Sequence, residues 1–174
     1  MAAIITLERP DGADAIGLIT ELEAHLEPLY PRESRHGFSA EKLLAHAVAF
    51  FVLRDDGTAA GCGGIQLFGS AYGELKRMYV RPVARGQGVA QAILARIEAE
   101  TRAANLPTLR LETGDKQTDA LRLYRRYGFT ECPPFGDYAN LPPHTISTSI
   151  FLEKPVARGM AEAPHFRPPK GCAR

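Results

Sequence analysis

A glycine-rich turn, Arg85 to Ala90, joins a strand-like segment, Glu74 to Val80, to an amphipathic helix-like segment, Val89 to Ala104. Glycines let backbone N–H groups approach an anion closely. The start of a helix leaves N–H donors unpaired, and the helix dipole favours negative charge there. The sequence therefore predicts a binding site for a phosphate group at this turn.

Two common nucleotide-binding motifs do not match the turn. Gly86 and Gly88 fit the first half of G-x-G-x-x-G, but Gln91 stands at the third position and no βαβ unit precedes it. The Gly-Lys-Ser/Thr end of a P-loop is absent from the turn. A second glycine run, Gly61 to Gly64, lies inside a predicted strand, and we interpret it as a bulge or a site of close strand packing.

Composition limits the class of protein. A chain of 174 residues fits one domain with a sizeable core, and its hydrophobic fraction of 45% is that of a globular protein. The net charge of +1 gives no reason to expect nucleic acid or a membrane as partner. No apolar run approaches the roughly 20 residues of a membrane span, and the first residues do not resemble a signal peptide.

The cysteines point to a reducing compartment. Cys62, Cys132 and Cys172 are odd in number and far apart, which predicts neither a disulfide framework nor a metal site. We therefore expect a cytoplasmic protein without a bound metal.

Hydrophobic periodicity predicts an α+β fold with one mixed sheet. Ser39 is the expected N-cap of the second helix, and Gly128 is the expected residue after the end of the last helix. The predicted order is a strand at 4–8, helices at 13–27 and 39–46, strands at 48–54, 59–68 and 74–81, a helix at 89–104, a strand at 108–113, a helix at 117–127, a strand from 129 and a strand at 145–152.

The chain is expected to divide into a domain, residues 1–154, and a flexible C-terminal tail, residues 155–174. The tail contains four prolines and few large apolar residues, with four basic residues against one acidic residue. Such a composition is typical of a loosely held segment.

Two motifs together resemble those of a known family. Arg85, Gly88 and Ala90 fill the pattern Arg/Gln-x-x-Gly-x-Gly/Ala, and Ala120 to Phe129 fits A-x-x-L-Y-x-x-x-G-F. The first pattern resembles the pyrophosphate-binding motif of the GNAT superfamily of acetyl-CoA-dependent N-acetyltransferases, and the second resembles that family's helix signature. Segments at 61–64, 111–114 and 132–138 are similar to those of a bacterial subgroup, some of whose members are named as indole-acetic-acid acetyltransferases.

The resemblance implies a mostly antiparallel sheet with helices on both faces and a direct transfer of acetyl from acetyl-CoA to a primary amine. A homodimer is common for such domains. Gln117 stands where the family often has Asn. The residues that the resemblance assigns to acetyl-CoA are Met78, Tyr79, Val80, Arg85, Gly86, Gln87, Gly88, Val89, Ala90, Gln117 and Tyr124.

Three residues are candidates for proton transfer. Tyr124 is the candidate general acid for the leaving thiolate, and its alternative role is that of a core tyrosine. Glu74 is the candidate base, acting through water, and its alternative is a solvated residue at a strand start. Glu112 is a second carboxylate beside the predicted groove, and its alternative is a salt bridge or a loop anchor.

The acceptor site is expected between the first two helices, their connecting loop and the late hairpin. Arg32, Arg35 and His36 form a basic cluster that either binds a substrate carboxylate or is simply a set of solvent-exposed charges on the loop. The residues expected to line the site are Tyr30, Arg32, Arg35, Phe135 and Tyr138.

Three functions remain open at this stage. The first is N-acetylation of a small molecule, which a closed pocket would favour. The second is N-acetylation of a protein or peptide, which an open acidic groove would favour. The third is a non-catalytic sensor that binds acyl-CoA, against which the presence of Tyr124 argues.

Overall fold

The computed structural model describes residues 3–157, which form a seven-stranded sheet with four α-helices. The strands are β1 (Ala3–Glu8), β2 (Ala49–Asp55), β3 (Thr58–Phe68), β4 (Tyr72–Val80), β5 (Thr108–Gly114), β6 (Thr130–Glu131) and β7 (Ser149–Pro155). The helices are α1 (Ala13–Leu26), α2 (Ala40–Ala45), α3 (Val89–Ala103) and α4 (Thr118–Arg126). The predicted α+β class and the predicted order of elements are confirmed.

The last strand is where the predicted bounds differ most. The predicted strand begins at 145, whereas β7 begins at Ser149, because Pro143–Ile146 form a 3-10 turn. Proline suits the start of such a turn, since its φ is preset and it has no N–H to pair.

The fold continues past the predicted start of the tail. Pro155 is aligned with Thr108 in the sheet, and Val156 is buried with its N–H donating to the Pro107 carbonyl at 2.8 Å. Residues 158–174 of the predicted tail lie outside the described residues, so the division into a domain and a tail stays a prediction.

The sheet opens between its two parallel strands. The strand order is β1-β2-β3-β4-β5-β7-β6, and every neighbouring pair is antiparallel except β4 and β5. Among the described residues, β4 and β5 pair only at Gly73 with Leu109 and at Glu74 with Arg110. The two strands therefore separate after Glu74, and the later part of β4 has a free edge on that side.

A bulge in β4 lies at the start of this opening. The register with β3 shifts between Cys62 and Gly64, and Arg77 has a φ of 52°. A Cβ at Gly63 would lie 2.8 Å from the Ile93 side chain of α3. The glycine run in β3 thus accompanies both a bulge and close packing, as predicted.

Helices cover both faces of the sheet. Leu18 and Leu22 of α1 belong to one core cluster, and Ile93 and Ile97 of α3 belong to the other. The predicted helix ends are confirmed, because Ser39 accepts a hydrogen bond from the Lys42 N–H, and Gly128, at a φ of 102°, directly follows the C-cap residue of α4. Within residues 3–157, the helices are too short or too polar to cross a membrane.

Candidate active site

A cavity of about 130 Å³ lies where β4 and β5 separate. Its walls come from α1, the loop after α1, the middle of β4, the end of β5 and the start of α4. Its polar lining includes Arg35, His36, Glu74, Lys76, Arg77, Glu112, Gln117, Tyr124 and Tyr138. The cavity therefore brings together the three residues that the sequence analysis selected for proton transfer.

Glu74 is held in a buried ion pair. Glu74 and Lys76 are only 2% and 8% exposed, and Lys76 Nζ lies 2.6 Å from Glu74 Oε1. The Tyr138 hydroxyl donates to the same oxygen at 2.9 Å. Lys76 was not selected from the sequence, although a spacing of two residues on a strand places it on the same face as Glu74. Glu74 is thus neither solvated nor free of partners.

Glu112, on β5, is the second carboxylate of the cavity. It keeps some accessible surface, and its Oε1 accepts a hydrogen bond from the Ser149 hydroxyl at 2.6 Å. Burial raises the pKa of Glu112, and the Ser149 hydrogen bond opposes this rise only in part. A raised pKa makes this carboxylate a better proton acceptor near neutral pH than an ordinary glutamate.

Tyr124, on α4, is both a core residue and a cavity residue. The side chain is 6% exposed, and its ring meets the Phe129 ring edge-on at 5.8 Å. The hydroxyl contacts Met78 Sδ at 3.8 Å, which is a weak acceptor. Burial, with a smaller effect of Glu112, raises the pKa of Tyr124. The hydroxyl therefore stays protonated, and among residues 3–157 its only acceptor is this weak sulfur.

The glycine-rich turn leads directly into α3. Gly86 and Gly88 have φ values of 73° and 82°, which glycine adopts without strain. The Arg85 Nε–H donates to the Val80 carbonyl at 3.2 Å. The turn is exposed, so an arginine and the free N–H groups of the first turn of α3 are accessible to an anion.

Gln117, just before α4, fits a ligand that carries a carbonyl group. Its Nε2 is buried and has no hydrogen-bond partner in residues 3–157. The side chain also lines the cavity. An amide donor without a partner is costly to bury, and a carbonyl acceptor in the cavity would satisfy it.

The cavity lining does not include Tyr79, Arg32 or Phe135, although it includes Tyr30. Tyr79 packs in the core on the other face of the sheet, and Arg32 lies beside a separate outer cleft. Phe135 is buried behind Tyr138, with ring centroids 5.4 Å apart, and does not line the cavity. Tyr30 does line the cavity, but its hydroxyl is already occupied by the Lys116 N–H at 2.7 Å.

Arg35 forms part of a cluster that the sequence did not predict. Glu23 of α1 pairs with Arg35 at 3.0 Å and also with Arg77. Arg77 was missed because its position depends on the bulge in β4, which the order of residues alone does not show. His36, predicted to share a basic cluster with Arg32 and Arg35, instead contacts the Thr145 carbonyl through Nε2 at 2.9 Å.

Among residues 3–157, no three His, Cys, Asp or Glu side chains form a group that could hold a metal ion.

Comparison with known proteins identifies the class to which this fold and site belong. Residues 17–129 match the model of the acetyltransferase (GNAT) family. An IAA acetyltransferase from Azospirillum brasilense is 42% identical over 153 residues, which cover 87% of this chain and 97% of that protein. The chain therefore belongs to the GNAT acetyltransferase family, as the two sequence motifs predicted.

Two solved structures share the fold. A protein from Klebsiella pneumoniae assigned as an acyl-CoA N-acyltransferase has 35% identity and a TM-score of 0.71, covering 89% of this chain and 98% of that one. The PaiA N-acetyltransferase of Thermoplasma acidophilum, solved in complex with coenzyme A, has 19% identity and a TM-score of 0.69, covering 89% and 99%.

Proposed function

We propose that the protein transfers the acetyl group of acetyl-CoA directly to the primary amine of a small molecule. The observation that carries this proposal is the cavity between β4 and β5, where two carboxylates and a buried tyrosine meet. The cavity is small, about 130 Å³, and residues of α1, the loop after α1, β4, β5 and α4 line it. A cavity of this size favours a small acceptor over the N-terminus or lysine of a protein. The name of the Azospirillum relative is consistent with a small acceptor.

The residues around the opening fit the cofactor. Arg85 and the backbone N–H groups of Gly86 to Ala90 would bind the pyrophosphate. The free edge of β4 from Met78 to Val80 would offer backbone groups to the pantetheine arm, and Gln117 would donate its unpartnered N–H to a carbonyl of that arm. Acetyl-CoA supplies an activated thioester carbon.

The cavity residues then supply proton transfer. An amine attacks only after it loses a proton, and the leaving thiolate needs one. Glu112, with its raised pKa, is the carboxylate best suited to take the amine proton. Glu74, the other candidate base, is engaged by Lys76 and Tyr138. A carbon–nitrogen bond forms and the carbon–sulfur bond breaks, and Tyr124 gives its proton to the sulfur. The nitrogen loses its second proton as the amide forms, and this proton restores the Tyr124 hydroxyl.

An acceptor screen tests this proposal. The purified protein is mixed with acetyl-CoA and either small primary amines or peptides with free N-termini and lysines, and release of the coenzyme A thiol is followed. We expect release that depends on a small amine. Turnover with peptides alone would favour a protein acetyltransferase, and binding of acetyl-CoA without any turnover would favour a sensor.

Replacing Tyr124 with Phe is expected to lower kcat about 10²-fold, the low end for loss of a general acid. The low end applies because a thiolate is a weaker base than an alkoxide and leaves with less help. The ring stays in place, so KM for acetyl-CoA should change little. Steady-state rates over a range of pH check this, with Tyr127→Phe, at the C-cap of the same helix, as the matched control. An unchanged kcat would leave Tyr124 with its core role alone.

Replacing Gln117 with Leu is expected to raise KM for acetyl-CoA up to about 10-fold, because one hydrogen bond to a neutral group is lost. The same change should leave kcat nearly unaltered. Titration of the free protein with coenzyme A checks the affinity directly. Equal affinity of the variant and the wild type would remove Gln117 from the cofactor site.

A further inference from the structure

The wall between the cavity and an outer cleft carries excess positive charge. The outer cleft, about 480 Å³, shares Arg35, Gly37 and Arg77 with the cavity. Glu23 is the only carboxylate that lines this cleft within residues 3–157, and it pairs with both Arg35 and Arg77. Two guanidinium groups against one carboxylate leave one positive charge unmatched at this wall.

Each of these two arginines also has an unused buried donor. The Nε atoms of Arg35 and Arg77 are buried and have no hydrogen-bond partner among residues 3–157. The Arg77 side chain is only 5% exposed. A guanidinium presents its donors as a fork that matches a carboxylate, so two unused Nε–H groups beside an unmatched charge suit an anionic ligand.

Backbone features hold Arg77 in this position. Arg77 sits at the bulge with a φ of 52°, a conformation that costs energy for a residue other than glycine and persists only when its surroundings enforce it. A Cβ at Gly37 would overlap the Arg77 guanidinium. The guanidinium therefore lies directly against the backbone of Gly37, in space that any side chain there would take.

The remaining charges of the cavity suit an amine at some distance from this wall. Lys76 is matched by Glu74, which leaves Glu112 as the carboxylate without a cationic hydrogen-bond partner in the described residues. Glu112 projects from β5, whereas Arg77 projects from β4, on the other side of the opening. The cavity thus offers a negative group on one side and an unmatched positive group on the other.

We propose that the acceptor is an amino carboxylate, with its amine at Glu112 and its carboxylate bound by Arg77 and Arg35. This inference rests on the proposed acetyl transfer and names the substrate class of that site. The zwitterion of an amino acid has both charges that the cavity complements, whereas a simple amine would leave one positive charge of the Arg35 and Arg77 pair unmatched.

Matched pairs of acceptors test the inference. Free L-amino acids and the corresponding L-amino acid amides are compared as acceptors, with release of the coenzyme A thiol as readout. For the wild type, kcat/KM should favour the acid over its amide by about 10-fold to 10²-fold, the range for a hydrogen-bonded ionic contact. Arg77→Gln and Arg35→Gln should each raise KM for the acid about 10-fold or more and leave kcat/KM for the amide nearly unchanged.

Two further variants serve as controls that distinguish lost carboxylate binding from a folding defect. Gly37→Ala keeps both arginines but displaces the end of the flexible Arg77 side chain, and it should also raise KM for the acid selectively. Arg122→Gln, at an exposed surface pair with Asp119, should alter neither acceptor. Thermal unfolding confirms that each variant is folded.

The outcomes separate this inference from the proposed function. Equal use of acids and amides, or an equal effect of Arg77→Gln on both, would overturn the amino-carboxylate inference while leaving acetyl transfer intact. Acetylation restricted to amines that carry no carboxylate would also overturn the amino-carboxylate inference and leave acetyl transfer intact. An absence of amine-dependent thiol release with every acceptor would overturn the proposed function itself.

Discussion

Replacing Glu112 with Gln is expected to lower kcat about 10²–10⁴-fold, the usual loss when a general base is removed. Glu112 is the cavity carboxylate whose pKa is raised by burial, and no lysine or arginine of the described residues hydrogen-bonds to it. In the wild type, kcat should rise with pH through this raised pKa, because only the ionised carboxylate accepts a proton. In Glu112→Gln this rise should disappear. Steady-state rates across the acidic and neutral range measure both effects.

Stability measurements separate loss of catalysis from loss of fold at Glu112. The Glu112 carboxyl has a higher pKa when folded than when unfolded, so its contribution to stability falls as pH rises from the ordinary glutamate range to the raised pKa. Gln carries no such charge, so Glu112→Gln should be relatively more stable above that range. A variant that is well folded yet keeps full activity would contradict the assignment of Glu112 as base.

Replacing Glu74 with Gln is expected to lower the free energy of unfolding by about 3–5 kcal/mol, because it leaves the buried charge of Lys76 without its partner. The side chains of Lys76 and Glu74 are 9% and 3% exposed, so water cannot replace the lost contact. Lys76 also lies 4.5 Å from the centre of the Phe38 ring, which offers only partial compensation. Chemical denaturation of the single variant measures the loss.

A double variant provides the matched comparison. Glu74→Gln combined with Lys76→Met removes both charges and should recover most of the lost stability, since replacing a buried ion pair with neutral groups is often close to neutral. Arg122→Gln at an exposed pair should cost no more than about 1 kcal/mol. If Glu74→Gln lowered the free energy of unfolding no more than Arg122→Gln does, the Glu74–Lys76 pair would not stabilise the fold as a buried ion pair.

The sequence predicted the fold because its signals were local. Ser39 as N-cap, Gly128 after the last helix and the glycine run of β3 each act within a few residues, and each is found where expected. The start of β7 was misplaced because alternating residues from 145 look like a strand, whereas a proline-led 3-10 turn occupies Pro143–Ile146.

The site was harder to predict because it depends on contacts between distant segments. The two-residue spacing of Glu74 and Lys76 was visible in the sequence. The contact of this buried pair with Tyr138, however, brings together residues more than sixty positions apart. Arg77, which pairs with Glu23, lies at a bulge with a φ of 52°, and nothing in the order of residues marks that conformation for an arginine. Pairing with a residue 54 positions earlier in the chain is a property of the folded state alone.

The most direct test is to incubate the wild-type protein with acetyl-CoA and a panel of small primary amines, and to measure thiol release and product mass together. We predict that one amine of the panel gains a single acetyl group for each coenzyme A thiol released, and that Glu112→Gln and Tyr124→Phe slow both equally. Tight binding of acetyl-CoA without amine-dependent thiol release across the whole panel would contradict the proposed acetyl transfer.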